Sequence, residues 1–158
     1  MDQITTRSAQ SADAENIARL VNAAFRIERF FIDADRTSPD KVRAFLEKGK
    51  FLLAEEAGAL IACVYVELRG ERGYFGLLAV DPTRQRSGMG SDLIEAAEEY
   101  CRSAGCHFMD LTIVNLRKEL PGYYQRLGYV ESGTLPFPED QYPPKIPCHL
   151  VRMSKALS

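Results

Sequence analysis

Histidine and cysteine are scarce in this sequence, and tryptophan is absent. The chain has two histidines, His107 and His149, and four widely spaced cysteines that include no C-x-x-C pair. Because zinc sites draw on Cys and His ligands at short spacings, this pattern suits a zinc site poorly. We therefore expect no metal, and we expect the cysteines to be reduced packing residues, as in a cytosolic chain.

Long apolar runs and an excess of one charge are also missing. No apolar run approaches the roughly 18 residues that a membrane span needs, and Met1–Ile4 lacks the basic and apolar regions of a signal peptide. The formal net charge of −2 disfavours a protein whose main role is sequence-independent nucleic-acid binding. We expect a soluble, cytoplasmic protein whose partners include neither a membrane nor a nucleic acid.

The sequence does contain enough apolar residues for a core. Of its 158 residues 46% are hydrophobic, which supports a single domain over residues 1–158. Apolar residues at helical spacing predict helices within Ile17–Phe25, Val42–Leu46, Met89–Ala104 and Asn115–Leu127. Apolar, β-branched and aromatic runs predict strands at Ile4–Arg7, Phe51–Glu55, Leu60–Leu68, Tyr74–Val80, His107–Val114, Tyr129–Leu135 and His149–Lys155. The predicted order is β α α β β β α β α β β, a mixed α/β domain.

The segment Asp81–Gly90, DPTRQRSGMG, connects a predicted strand to a predicted helix. Gly88 and Gly90 allow close approach of the backbone, and a helix N-terminus offers N–H groups and a partial positive charge. The segment is therefore suited to bind a phosphate, the alternative being a plain flexible turn. It is neither a P-loop, which requires Gly-Lys-Ser/Thr, nor a dinucleotide-binding loop, which requires glycine where Leu93 stands.

Two motifs in this chain resemble those of the GCN5-related N-acetyltransferases. The first is Q-x-x-G-x-G in Gln85–Gly90, and the second is YQRLGY in Tyr124–Tyr129, where tyrosine replaces the usual final phenylalanine. The resemblance covers about residues 3 to 155. It implies an α/β (α+β) fold with a mixed, largely antiparallel sheet of six to seven strands flanked by about four helices.

The resemblance also implies that acetyl-CoA is the cosubstrate. Its pantetheine arm is expected between the strand Tyr74–Val80 and a neighbouring strand, His107–Val114, that splays away from it. The Leu78 N–H is expected to stabilise the oxyanion that forms when an amine attacks the thioester. The implied acetyl-CoA-binding residues are Leu78, Ala79, Val80, Gln85, Arg86, Ser87, Gly88, Met89, Gly90, Ser91, Asn115 and Tyr124.

The resemblance assigns a residue to one of the two proton transfers and leaves the other without one. The motif places Tyr124 as proton donor to the departing thiolate, the alternative being a packing tyrosine on the helix face. The group that accepts the proton of the amine is left open. Glu67, at the end of a strand, and His149, at the start of the last strand, are the candidates, and Asp110 is a third.

Two positions depart from the family's pattern. The family most often has glycine at Arg86 and a basic residue at Ser87, so phosphate contacts there should rest more on backbone N–H groups. The family's asparagine commonly lies seven residues before the tyrosine, whereas Asn115 lies nine before Tyr124 and Arg117 has the expected spacing. Which of these two residues contacts the cofactor therefore stays open.

The acceptor is expected between the first two helices and along the proline-containing loop, where Phe30, Phe31, Arg36 and Tyr142 are the predicted substrate-binding residues. Acidic neighbours such as Asp33 suit a cationic amine, whereas Arg36 suits a carboxylate, so the acceptor is not identified. The implied reaction is acetyl transfer from acetyl-CoA to a primary amine of a small molecule or peptide, by direct attack in a ternary complex. The alternative is a non-catalytic acyl-CoA-binding sensor or interaction module on the same fold. A homodimer stays open.

Overall fold

The fold is built on one mixed sheet in the computed structural model, which describes residues 4–84 and 88–157. In chain order the strands of these residues are β1 (Ile4–Ser8), β2 (Lys50–Glu56), β3 (Ala59–Arg69), β4 (Arg72–Val80), β5 (Phe108–Val114), β6 (Val130–Pro136) and β7 (His149–Ala156). The α-helices are α1 (Ala14–Ala24), α2 (Pro39–Lys48), α3 (Met89–Ser103) and α4 (Leu120–Arg126). Strand order across the sheet is β1-β2-β3-β4-β5-β7-β6.

Every neighbouring pair of strands is antiparallel except β4 and β5, which are parallel. The predicted mixed, largely antiparallel fold is therefore confirmed. The last helix is shorter than predicted, since α4 begins at Leu120 and not at Asn115; Pro121 occupies its first turn, where the missing proline N–H costs no helical hydrogen bond. A 3₁₀ segment, Phe25–Phe30, also follows α1 directly.

A β-bulge interrupts the pairing of β4 with β3. Cys63 pairs with Ala79 and Tyr65 pairs with Gly76, so two residues of β4, Leu77 and Leu78, lie opposite the one residue between them. Leu77 has φ +49°, in the left-handed region that L-residues rarely adopt. A bulge of this kind bends its strand and changes the face to which the following side chains point.

The parallel pairing of β4 with β5 is short. It runs from Arg72 opposite Phe108 to Tyr74 opposite Asp110, and it does not continue toward the carboxyl ends of these strands. The two strands therefore separate at the end of β4 that carries the bulge. The splayed strands that the resemblance implied are present in the structure.

Helices cover both faces of the sheet. On one face the apolar side of α1, including Ile17 and Val21, packs with Val42 of α2 against Leu77 and Ala79. On the other face α3 and α4 pack over a core that includes Phe75, Met109, Leu111 and Met153. None of the helices in the described residues is long and apolar enough to cross a membrane.

A buried ionic cluster joins α3 to the last two strands. Tyr129, which stands where the family usually has phenylalanine, is fully buried, and its hydroxyl donates to Glu98 Oε2 at 2.7 Å. Lys155 Nζ lies 3.1 Å from both carboxylate oxygens of Glu98. A buried carboxylate is tolerated only when it is hydrogen-bonded and paired, and here it has both kinds of partner. The extra hydroxyl thus satisfies a buried charge.

Replacing Tyr129 by phenylalanine is expected to destabilise the fold by about 1 to 3 kcal/mol, because Glu98 loses one of its hydrogen-bond donors in a buried site. Urea denaturation followed by circular dichroism measures this loss. The control is Tyr100→Phe, whose hydroxyl makes no hydrogen bond within the described residues and whose removal should cost less than about 0.5 kcal/mol. Equal stability of the two variants would contradict this role of Tyr129.

Candidate active site

A cavity lies between β4 and β5 where their pairing ends. Its walls come from both strands, the segment between α1 and α2, the start of α4 and the loop that joins β6 to β7. Apolar side chains of both strands make up much of the lining. The aromatic, acidic and basic groups that line it include Glu28, Arg36, Tyr74, Arg117, Tyr124 and Tyr142.

The bulge and the start of α3 meet at one end of this cavity. Leu78, which follows the left-handed Leu77, lines the cavity and packs against the core under α3. A Cβ built on Gly90, in the first turn of α3, would lie 3.8 Å from Leu78 Cδ2 and 3.2 Å from Tyr123 Oη. Glycine therefore lets the N-terminus of α3 approach both the bulged strand and α4.

The turn into α3 has the geometry that glycine favours. Gly88 is the N-cap with φ +84°, and the Asp92 N–H donates to the Gly88 carbonyl at 3.0 Å. The helix thus begins with Met89, Gly90 and Ser91, and Ser91 Oγ lies 3.2 Å from Tyr123 Oη. The predicted cofactor-binding residues Gln85, Arg86 and Ser87 lie outside the described residues. Ala79 and Val80 stay paired with β3 and do not line the cavity.

Tyr124 combines burial with access to the cavity. Its ring packs against Phe75, Tyr123 and Tyr129 at centroid distances of 6.1, 5.0 and 6.2 Å. Only 7% of the residue is exposed, and its hydroxyl makes no hydrogen bond to any described residue. Burial raises the pKa of Tyr124 above that of a free tyrosine, so the phenol keeps its proton at neutral pH. It is a packing residue that also lines the cavity in its protonated form.

Glu28 is an acidic residue in the cavity that sequence reasoning missed. It lies in the 3₁₀ segment Phe25–Phe30, is 8% exposed, and its Oε2 accepts from Arg117 Nη1 at 2.9 Å. Burial raises its pKa, and this effect outweighs the opposing influence of the nearby Arg36 and Arg117 charges. A carboxylate of raised pKa in a cavity is a candidate for accepting a proton.

The three residues considered as bases from the sequence do not line the cavity. Glu67 accepts hydrogen bonds from Tyr65 and Arg69; although partial burial opposes its charge, these bonds lower its pKa. His149 is an exposed residue at the start of β7. Asp110 accepts from Arg72 at 2.7 Å and from Ser154 at 2.5 Å, so it belongs to a local network within the sheet.

The structure separates Asn115 from Arg117. Asn115 Oδ1 accepts from the His149 backbone N–H at 2.8 Å, and its own N–H donates to the His149 carbonyl at 3.0 Å. This exchange closes the end of the β5–β7 pair, and Asn115 does not line the cavity. Arg117 does line the cavity, where it forms an ion pair with Glu28.

Of the predicted substrate-binding residues, Arg36 and Tyr142 line the cavity, and the Tyr142 hydroxyl donates to the Arg36 carbonyl at 2.8 Å. Phe30 and Phe31 do not line it. Phe31 is fully buried in a third core with Phe137 and Tyr142, whereas Phe30 is 52% exposed. Phe31 therefore supports the cavity wall from behind.

Comparison with known proteins identifies relatives of this chain. The sequence profile described as "Acetyltransferase (GNAT) family" matches residues 15–129. A glucosamine 6-phosphate N-acetyltransferase 1 of Oryza sativa subsp. japonica is 28% identical over 81 residues, which are 51% of this chain and 47% of that protein. A blasticidin-S acetyltransferase of Streptomyces morookaense is 32% identical over 97 residues, 61% of this chain and 67% of that protein. The chain thus matches about half the length of the first relative and about two thirds of the second.

Solved structures share the fold. The structure of yncA from Salmonella typhimurium, with its cofactor acetyl-CoA, superposes with a TM-score of 0.76 at 21% identity. The superposition covers 99% of this chain and 95% of the other. At this level of identity the similarity extends to the arrangement of strands and helices.

Proposed function

The chain belongs to the acetyltransferase (GNAT) family, and we propose that it transfers an acetyl group from acetyl-CoA to a primary amine bound in the cavity between β4 and β5. The observation that carries the proposal is the meeting of three features at this cavity. They are the bulged strand at Leu78, the buried phenol of Tyr124 and the buried carboxylate of Glu28. An acetyl transfer needs a hydrogen-bond donor to the carbonyl oxygen of the thioester, a proton donor to the departing thiolate and a proton acceptor for the amine. These three features can supply them in that order.

Acetyl-CoA fits the residues present. The N-terminus of α3, with Gly88 as its N-cap and Gly90 in its first turn, offers N–H groups and a partial positive charge to a diphosphate. The gap between β4 and β5 leads from this helix toward Tyr124, and Leu78 lines it. Acetyl-CoA supplies the thioester, and the chain's own residues position it. The yncA structure, which holds acetyl-CoA on the same fold, supports this placement.

The groups at the cavity account for each bond and each proton that changes in the proposed reaction. The acceptor nitrogen attacks the thioester carbonyl, a C–N bond forms and the C–S bond breaks. The Leu78 N–H stabilises the negative charge on the carbonyl oxygen, and positioning both reactants in one cavity lowers the entropic cost of attack. The nitrogen gives up a proton to Glu28, directly or through water, and Tyr124 donates its proton to the departing thiolate.

Glu28 is proposed as the proton acceptor because of where it lies. It is the carboxylate that lines the cavity within the described residues, whereas Glu67 and His149 lie away from it. Its raised pKa moves it closer to neutral pH, where a base of this type works best. The ion pair with Arg117 fixes the carboxylate toward the cavity.

Tyr124→Phe tests the proposed function. With a panel of primary amines, thiol release from acetyl-CoA should fall about a hundredfold or more in kcat, while calorimetry shows unchanged acetyl-CoA affinity. The matched control is Tyr129→Phe, which removes a hydroxyl from the same aromatic cluster but from a residue that does not line the cavity. It should keep wild-type kcat at a temperature where it is folded. Acetyl-CoA binding without turnover of any amine by the wild type would favour the sensor alternative.

Glu28→Gln tests the proton acceptor. In the wild type, kcat should rise with pH through a midpoint above the ordinary glutamate value of about 4.3, because burial raises the pKa of Glu28 and only its ionised form accepts a proton. The variant should lose this acidic limb and about a hundredfold of kcat. Glu119→Gln is the control, since Glu119 also pairs with Arg117, at 3.0 Å, but is 54% exposed and does not line the cavity. An acidic limb that persists in Glu28→Gln and disappears in Glu67→Gln would assign the role to Glu67.

A further inference from the structure

Arg36 occupies an unusual position among the charged groups of the cavity. Its guanidinium carbon lies 5.4 Å from the ring centroid of Phe25 and 5.2 Å from that of Tyr142, over both rings. At these distances the rings attract the cation and restrict its orientation. No carboxylate oxygen of the described residues lies within 4.0 Å of a guanidinium nitrogen of Arg36, so Arg36 forms no ion pair with them. The N–H groups at its edge are thus available to a ligand.

Two other arginines near the cavity, Arg29 and Arg117, have carboxylate partners. Arg29 pairs with Asp35 at 2.8 Å and with Asp33 at 3.6 Å, outside the cavity. Arg117 pairs with Glu28 at 2.9 Å inside it. Glu28, Arg36 and Arg117 are the charged side chains that line the cavity within the described residues, so its lining carries one more positive than negative charge. Glu119, which also pairs with Arg117, is 54% exposed and does not line the cavity. The charge balance favours an acceptor that brings an anion.

The backbone that carries Arg36 is held in place. Tyr142 donates to the Arg36 carbonyl at 2.8 Å, and the next residue, Thr37, exchanges two hydrogen bonds with the side chain of Asn22, at 2.9 and 3.0 Å. Lys41 adds a second cation on the same side, with its Nζ 4.9 Å from the Tyr142 ring centroid. A guanidinium fixed in this way is preorganised, so a ligand need not bear the entropic cost of ordering it.

We propose that the acceptor of this enzyme is a primary amine that also carries a carboxylate or a phosphate, and that Arg36 binds this anionic group while the amine faces Glu28. This inference rests on the proposed function. Arg36 and Glu28 line the same cavity, so a small molecule with both groups can contact them together. A guanidinium forms paired hydrogen bonds with either anion, and these charge-assisted bonds are among the stronger ones in proteins.

Matched pairs of acceptors test the proposal. An α-amino acid is compared with its amide, and an aminoalkyl phosphate with the parent amino alcohol, using thiol release from acetyl-CoA. We expect kcat/KM about ten- to a hundredfold higher for the anionic member of at least one pair, mainly through KM. The pair that shows the preference distinguishes a carboxylate from a phosphate. Arg36→Gln should abolish the preference, and Arg36→Lys should retain part of it, because lysine keeps the charge but not the planar fork.

Arg29→Gln is the matched control, because Arg29 is already neutralised by Asp33 and Asp35 and does not line the cavity; it should keep the wild-type preference. Unchanged acetyl-CoA affinity by calorimetry shows that the Arg36 variants are folded. Turnover of both members of every pair with equal kcat/KM, or a preference that survives Arg36→Gln, overturns the inference and leaves the proposed function intact. Turnover of no amine at all, with acetyl-CoA bound, overturns the proposed function itself.

Discussion

The site depends on one interruption of the sheet, the bulge at Leu77 in β4. Before the bulge, Phe75 packs into the core under α3 and α4; after it, Leu77 and Ala79 pack against α1 on the opposite face. In a regular strand these three alternate residues would share one face. The bulge therefore places the Leu78 side chain on the face where α3, α4 and the cavity lie. The pairing of β4 with β5 includes only the first residues of β4, so the two strands are already apart where the bulge occurs.

The charged groups around this gap come from the segments that connect the strands and α-helices. Glu28 lies in a 3₁₀ turn, Arg36 in the connection to α2, and Arg117 between β5 and α4. The sheet provides a rigid apolar wall, and these connections bring a carboxylate and two cations over it. Loops on a fixed scaffold are where relatives of one fold acquire different acceptors. The proposed preference for an amine that carries an anion follows from this part of the chain.

The regular parts of this arrangement could be predicted from the sequence. Apolar periodicity gave the helices and strands in the right order, and two motifs predicted both the glycine-containing start of α3 and the position of Tyr124. The bulge could not be predicted in this way, because Phe75, Leu77 and Ala79 alternate with less buried residues as in an ordinary strand. Only tertiary packing shows that they face different cores.

Glu28 escaped prediction for a similar reason. In the stretch FRIERFF nothing local distinguishes Glu28 from its charged neighbours, and its burial depends on Arg117, which lies 89 residues further along the chain. The same holds for Arg29 and Arg36, since only the structure shows that one has carboxylate partners and the other has aromatic rings. Glu67 and His149 were reasonable candidates by strand position, yet their side chains lie away from the cavity.

The most direct measurement of the central claim is a crystal structure of the chain with acetyl-CoA. The thioester should lie in the gap between β4 and β5, with its carbonyl oxygen about 3 Å from the Leu78 backbone nitrogen. The diphosphate should lie at the first amides of α3, Gly88–Ser91. A thioester bound outside this gap, or a Leu78 N–H that is hydrogen-bonded to β3 while acetyl-CoA is bound, would contradict this claim.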